Sequence, residues 1–371
     1  MKLSYPQLKN LVATYVTENK ISVATFNVTR DNTVELVDKI GKIVHQVQDF
    51  QDKLAFFDGE DLGYGKTIEE WASDLILVED YEESGADALA PKDPTYRPNF
   101  YSYTIGKKKI KTTIRNNDLE RAVHFEAQLV ELVSNKTKVL MDSATLYRYQ
   151  VKREMIAKMY AIASGLQTTA TTFAAATPYS IGTALKGSAS TARGIVVKPY
   201  KANDATGWAD AVAKGFIVVL DLITEVATPV DTASGEAFIK QVKRDVEIGS
   251  DFSEGHSLNG NTMGAAEGLV LIVKQGVMPN LEVDVEAGAF HLNKVAIPAE
   301  THVVKDFGSA DPSVYAVLVD RRAIKLHNTY RAVREQQNGE GDFLNLVYHT
   351  EDTPYISRNV FVKFYKTPAG A

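Results

Sequence analysis

Residues 124–165 read HFEAQLVELVSNKTKVLMDSATLYRYQVKREMIAKMYAIASG, without a proline or an internal glycine. Apolar residues at Leu129, Leu132, Val133, Val139, Leu140, Leu146, Val151, Met155, Ile156 and Met159 recur at three- and four-residue steps, the period of one helix face. Asn117 or Asp118 could cap a short turn before it, and Gly165 offers a stop. At 1.5 Å per residue a continuous helix here would be roughly 60 Å long. That is more than a compact domain needs, so the chain is expected to build something extended around it.

The flanking sequence supports this. With 371 residues the chain exceeds one ordinary domain, so two compact units plus extensions are expected. The composition, 44% hydrophobic and 24% charged with a net charge of −6, is that of a folded soluble chain with no global attraction to nucleic acid. The absence of cysteine excludes disulfides, thiolate catalysis and Cys-ligated metal, and fits a reducing compartment. MKLSYPQLKNLVATYV at the start lacks a continuous apolar run, so no secretory signal is expected. The apolar runs at 215–223 and 269–273 are too short to span a bilayer, so no membrane partner is expected.

Ahead of the helix candidate the pattern changes. Residues 34–47 have helix-like apolar spacing, whereas 48–104 are broken by glycine and proline and read as an extended excursion, a two-stranded hairpin with an irregular return. Its charge is one-sided. Acids at Asp58, Glu60, Asp61, Glu69, Glu70, Asp74, Glu79, Asp80, Glu82, Glu83 and Asp87 face a single base, Lys66. Residues 107–115, KKKIKTTIR, reverse the sign; on a strand Lys107, Lys109 and Lys111 share one face.

Behind the helix candidate, 166–207 are rich in Thr, Ala, Ser and Gly and read as a linker or loose insertion. Helices are expected at 208–226 and 234–250. Strands are expected at 269–274, 281–285, 294–297, 302–305, 314–320 and 322–326, then along 328–365 around the turn Asn338-Gly339-Glu340-Gly341.

Motifs for catalysis are missing. Gly65-Lys66-Thr67 ends like a phosphate-binding loop, but the position five before Gly65 is Glu60, and Gly59 lies one residue too early. Glu60 and Asp61 would put negative charge where phosphates must sit, so a hairpin bend is the better reading. The seven histidines form no H-x-H or H-x-x-x-H pair, which leaves no metal site to expect. Asp284 and Glu286 alternate with valines like a solvent-facing strand edge, and no nucleophile motif appears. The lysine stripe suits a solvated or protein-contacting face better than DNA, because no aromatics are interleaved with it. No cofactor is expected.

In order, GKTIEEWASDL (65–75), LVLIV with LEVDVEAGAFHLNK (269–294), and VYAVLVDRRAIK through NVFVKFY (314–365) resemble the major capsid proteins of tailed phages and herpesviruses. This is the Hong Kong ninety-seven or Johnson fold, and the likeness is to small short-tailed phages of the Bacillus phi-twenty-nine type, from about residue 30 to 365. The resemblance implies an α+β fold in five parts: an N-terminal arm (1–47), an E-loop (48–104), the peripheral domain's first strand and spine helix (105–165), an axial domain (166–327) and a return to the peripheral domain (328–371). Some relatives append an immunoglobulin-like domain; here the chain ends six residues after Tyr365, so no such decoration is expected.

The implied function is a non-enzymatic shell subunit that forms pentamers and hexamers of an icosahedral capsid around double-stranded DNA, assembled in the host cytoplasm. Its partners by resemblance are itself, scaffolding and portal proteins, and the packaged DNA. The alternatives are an encapsulin-type bacterial compartment and, in another class, a nucleotide-binding enzyme. A hairpin alone is unstable in water, so 48–104 need a partner surface. The expected contact sets Glu60, Asp61, Glu69, Glu70, Asp74, Glu79, Asp80, Glu82 and Glu83, with Lys66, against Lys107, Lys108, Lys109, Lys111 and Arg115 of a neighbouring copy. Leu75, Ile76, Leu77 and Val78 are expected to bury there.

Overall fold

The computed structural model describes residues 51–63, 67–73, 94, 96–101, 104–115, 126–188, 192–265, 268–281 and 297–368. The helix-like stretch 34–47, the caps at Asn117 and Asp118, and the expected edge at Asp284 and Glu286 lie outside them, as do Leu75 to Val78. Along the chain come β1 (Asp58–Asp61), β2 (Ile68–Ser73), β3 (Tyr96–Tyr101), β4 (Ile105–Arg115) and the helix α1 (Glu126–Thr168). Next are β5 (Thr171–Thr172), β6 (Ala184–Lys186), β7 (Arg193–Val196), α2 (Trp208–Ala213), β8 (Ile217–Val219), β9 (Ile223–Glu225) and α3 (Thr232–Gly249). Then follow β10 (Ser253–Ser257), β11 (Gly260–Thr262), β12 (Leu269–Lys274), a short turn of helix α4 (Met278–Asn280) and β13 (Glu300–Val304). The last strands are β14 (Val314–Asp320), β15 (Ile324–Asn338), β16 (Phe343–Ile356) and β17 (Val362–Lys366).

The long helix forms, and at 43 residues it runs about 65 Å. It passes Gly165, because the hydroxyls of Thr168 and Thr169 bond back to the Ser164 and Gly165 carbonyls and close the last turn. Its inward face keeps the expected Leu140, Met155, Ile156 and Met159, all buried, and departs from the expected one at two positions. Val139 and Leu146 are exposed, and Thr137, Leu140, Met141, Ala144 and Thr145 are buried. Continuing that phase brings Arg148 and Lys152 inward.

The chain divides into two compact units. The first takes residues up to Lys66, Tyr103–Lys152 and Leu326–Pro354. Its sheet has the order β1-β15-β16-β4, with β1 parallel to β15 and β4 antiparallel to β16. The first part of α1 covers one face, where Leu140 and Ala144 pack with Tyr348, Ile110 and Val333. The turn at Asn338 forms as the sequence implied, its Oδ1 accepting the Glu340 and Gly341 N–H groups.

The second unit holds 67–102, Arg153–Lys325 and Tyr355–Ala371. Its main sheet has the order β13-β12-β14-β17-β9. Every residue of β14 is buried, and so is β12 up to its last residue, as expected of strands written as continuous apolar runs. Phe238, Ile239 and Val242 of α3 pack on one face against Leu271, Tyr315 and Tyr365. Tyr160 of α1 meets Phe364 edge-on at 5.2 Å, and since Phe364 alternates with Tyr365, α1 covers the opposite face. The last strand therefore lies in this sheet, and the expected single return 328–371 divides after Pro354.

Two readings of the middle chain need correction. Residues 166–207 are not a linker: β5, β6, β7 and β8 form a four-stranded sheet over a core of Phe173, Leu185, Val196, Tyr200 and Ile217. Its aromatics are spaced too irregularly to show a period. The helix expected over 208–226 stops after Ala213, because Gly215 turns the chain at φ +67° and the β-branched Ile217-Val218-Val219 continues as a strand. By contrast α3 begins as capping chemistry dictates, with Asp231 accepting the Ser234 N–H at 2.8 Å.

Candidate subunit interface

The lysine stripe is on β4, which stands at the edge of its sheet among the described residues. In its register with β16, Lys111 faces Val347 and Lys109 faces His349. Ile110 and Ile114 point to the helix-covered side, so Lys107, Lys109 and Lys111 project from the other side, with Arg115 in the same phase. All four are exposed, as is Lys108, which alternates to the Ile110 side. Lys107 Nζ sits 4.6 Å from the centroid of the Tyr330 ring, a cation–π contact on this open face.

The acids that fall among the described residues divide between the two units. Glu60 and Asp61 belong to β1 of the first unit's sheet. Asp61 pairs with Arg331 at 3.3 Å, and the Glu60 carbonyl lies 2.9 Å from His327 Nδ1. Glu69 and Glu70 belong to the β2–β3 ribbon in the second unit and point to opposite faces. Lys66, Asp74, Glu79, Asp80, Glu82 and Glu83 lie outside the described residues.

Glu70 is a structural anchor. Its carboxylate accepts hydrogen bonds from the Tyr101 hydroxyl at 3.2 Å, the Ser357 hydroxyl, and the Arg358 N–H at 3.4 Å. The Tyr101 ring meets Tyr355 edge-on at 4.9 Å. Burial, reinforced by the Glu70 charge, pushes the Tyr101 hydroxyl well above its ordinary pKa, so it stays a donor. The opposite ribbon face is open. There Trp71 pairs with Pro98, Glu69 with Phe100 and Ser73 with Tyr96. Trp71, Phe100 and Tyr96 are 62%, 60% and 58% exposed.

A second constellation was invisible to motif reading. Lys152, wholly buried, reaches Asp52 at 2.6 Å and Asp58 at 2.8 Å. One helical turn earlier Arg148 bonds Asp58 at 2.8 Å, the Leu326 carbonyl at 3.1 Å, and the buried Asp352. Asn328 donates to Asp352 at 3.0 Å and to the Thr350 hydroxyl at 3.0 Å. Burial would raise the Asp58 pKa, but the Lys152 and Arg148 charges outweigh it and hold the carboxyl below its usual value. A cleft of about 310 Å³ adjoins the cluster, lined by Met141, Thr145, Arg331 and Tyr348. The only signal in the sequence was phase, since 148 and 152 continue the buried series 137, 141, 144. The cluster ties β1, β15 and β16 to the helix.

Among the described residues no three His, Asp or Glu stand close enough to hold a metal ion, and no helix is long and apolar enough to cross a membrane. The sequence pattern of the Phi29-like phage major capsid protein family matches residues 3–363. The chain belongs to that family. It is 22% identical over 334 residues to the major capsid protein of Bacillus phage PZA, covering 90% of this chain and 62% of that relative. It thus spans a little under two thirds of the relative's length.

Solved structures give the fold. A chain in the capsid structure of Staphylococcus phage Andhra superposes with a TM-score of 0.56 at 11% identity, covering 86% of this chain and 85% of that one. A chain in the structure described as head fiber and inner core protein gp22 of native bacteriophage P68 gives 0.55 at 11% identity, with coverage of 86% and 85%. The chain carries the same fold, the Johnson fold.

Proposed function

We propose that this protein is a non-enzymatic shell subunit that self-assembles through heterologous contacts into pentamers and hexamers, and these into an icosahedral virion shell around double-stranded DNA. Assembly takes place in the host cytoplasm with scaffolding and portal proteins as partners. The observation that carries this is the family match over nearly the whole chain. On this reading 1–47 are the N-terminal arm and the β2–β3 ribbon with its flanks is the E-loop. The first unit corresponds to the peripheral domain and the second, without the ribbon, to the axial domain. A mildly acidic wall suits packaged DNA, because weak non-specific contact lets the duplex slide. Negative-stain electron microscopy of the overexpressed chain tests the proposal. Rings, tubes or shells are expected; a monomer that never assembles would refute it.

The interface proposed is between the acidic excursion of one copy, from Glu60 to Asp87 apart from Asp61 and Glu70, which bond within their own chain, and the Lys107–Arg115 stripe of the next. Exposed ion pairs contribute about 0–1 kcal/mol each, so these charges act mainly in steering and register. Reversing Lys107, Lys109 and Lys111 to Glu is expected to slow shell formation and weaken its salt dependence, measured by light scattering. Unchanged kinetics would remove the charge contact from the proposal.

A further inference from the structure

The sequence holds two Asn-Gly pairs, Asn259-Gly260 and Asn338-Gly339. Such a pair can modify itself. The main-chain nitrogen of the glycine attacks the asparagine Cγ, a C–N bond forms, and Nδ2 leaves as ammonia, taking up the proton that the glycine nitrogen loses. Solvent water then opens the cyclic imide at one of its two carbonyls. One opening gives aspartate, and the other gives a β-linked aspartate with an extra carbon in the main chain. Glycine favours the attack because no Cβ blocks the approach. The fold decides which pair can reach this geometry.

Asn338 stands at the tip of the β15–β16 hairpin, where residues 338–342 are all exposed. Its Oδ1 accepts the Glu340 N–H at 3.0 Å and the Gly341 N–H at 3.2 Å. A side chain folded forward in this way crosses the intervening peptide and brings its Cγ to the Gly339 nitrogen. The same two donors point at the oxygen on which negative charge develops during the attack, which is the arrangement of an oxyanion hole. Gly339 has open space where a Cβ would stand, so neither the ring closure nor the entry of water is obstructed.

Asn259 is set in the opposite way. Its Nδ2, the leaving group, donates to Asn359 Oδ1 at 2.7 Å, and its main-chain N–H donates to the Arg358 carbonyl at 2.9 Å. Gly260 is buried and paired with Ser257 in the β10–β11 hairpin. It is held at φ +111°, with Val197 Cγ1 only 2.8 Å from where a Cβ would be. The nitrogen that would attack is thus fixed in a packed strand.

We propose that Asn338 is a site of spontaneous deamidation in the folded chain and that Asn259 is not. The product sets a new carboxylate beside Glu340 and Asp342. At the same end of the sheet Phe343 pairs with Arg115, the last base of the exposed stripe, so each conversion lowers the positive charge presented there. The proposal stands on the turn alone, whatever the chain assembles into.

The test keeps the folded full-length chain in warm, mildly alkaline buffer for days, beside a portion unfolded in guanidinium chloride. Mass spectrometry of proteolytic peptides then follows both sites. In the folded chain the acid form is expected to accumulate about tenfold faster at Asn338 than at Asn259, a barrier difference of roughly 1.4 kcal/mol. The preference should collapse in the unfolded chain, and chromatography should separate the normal and β-linked products of Asn338. Equal conversion of the two sites in the folded chain, or an amide that persists at Asn338, would overturn the proposal. So would a preference that survives unfolding, since it would then belong to the flanking sequence and not to the turn. Gly339→Ala, at a position with room for a methyl group, is expected to melt as the parent does and to lose most of the conversion. Conversion at the parent's rate in that variant would rule out attack by the main-chain nitrogen.

Discussion

Replacing Lys152 by methionine gives the sharpest test of how the first unit is held together. The ammonium is wholly buried and lies 2.6 Å from Asp52, itself 6% exposed, and 2.8 Å from Asp58. Breaking a buried ion pair from one side costs about 3–5 kcal/mol, because the partner charge is left without compensation. Asp52 keeps the Leu54 N–H at 2.8 Å, and Asp58 keeps Arg148, so the lower end, about 3 kcal/mol, is expected. The acid dependence follows from the sign of the Asp58 shift. Its folded pKa lies below the unfolded value of about 4. The stability it contributes is therefore full above that unfolded value and is lost as pH falls through the lowered folded pKa. Lys152→Met removes part of the lowering, so the gap between variant and parent should narrow in acid. Urea unfolding followed by circular dichroism, with hydrogen exchange on peptides covering Asp58–Asp61 and Leu326–Asn328, measures both effects. A loss below about 1 kcal/mol at neutral pH, or a gap that widens in acid, would refute the reasoning.

Three further outcomes are expected. A Cβ on Gly249 would stand 2.8 Å from Leu269 Cδ1 and 2.9 Å from Phe361, so Gly249→Ala should destabilise by about 1–3 kcal/mol; an unchanged melting temperature would count against this close helix–sheet contact. The Tyr365 hydroxyl donates to the buried Asp245 at 2.8 Å, and Tyr365→Phe should cost about 1.5–3 kcal/mol in chemical denaturation, with a neutral result showing that Gln241 alone satisfies the carboxylate. Glu70→Ala removes the acceptor for Tyr101, Ser357 and Arg358 and should speed limited proteolysis within the 68–101 ribbon; a cleavage rate equal to the parent's would deny Glu70 its anchoring role.

Sequence reading reached the parts of the fold that are written as period or as punctuation. The helix through Met155 and Ile156, the buried runs at 269–274 and 314–320, and the turn at Asn338 all fall in that class. It missed the 166–207 sheet because Phe173, Tyr179, Tyr200 and Phe216 meet only after the chain has folded back, which leaves no local trace. It missed the inward turn of Arg148 and Lys152 because a charged residue on an apolar face reads as a break in the pattern, unless its carboxylates, Asp52, Asp58 and Asp352, all remote in sequence, are known. Of the candidate interface, the lysine stripe was legible, since strand alternation places Lys107, Lys109 and Lys111 together whatever the strand pairs with. The opposite roles of Glu69 and Glu70, adjacent acids on two faces of one ribbon, were not legible, because they depend on Ser357 and Arg358 reaching one of them.

The three open rings of the ribbon also bear on the life of the chain before any particle exists. A β-ribbon with Trp71, Tyr96 and Phe100 facing water is a hazard in a crowded cell, where newly made copies would stick to whatever hydrophobic surface they meet first. The acids that follow in sequence, from Asp74 to Asp87, are placed as gatekeepers of the kind that keep an unavoidable apolar strand soluble. Free subunits would then repel one another weakly until enough of them accumulate, and the onset of aggregation in a purified preparation should move to lower protein concentration as those carboxylates are neutralised one by one.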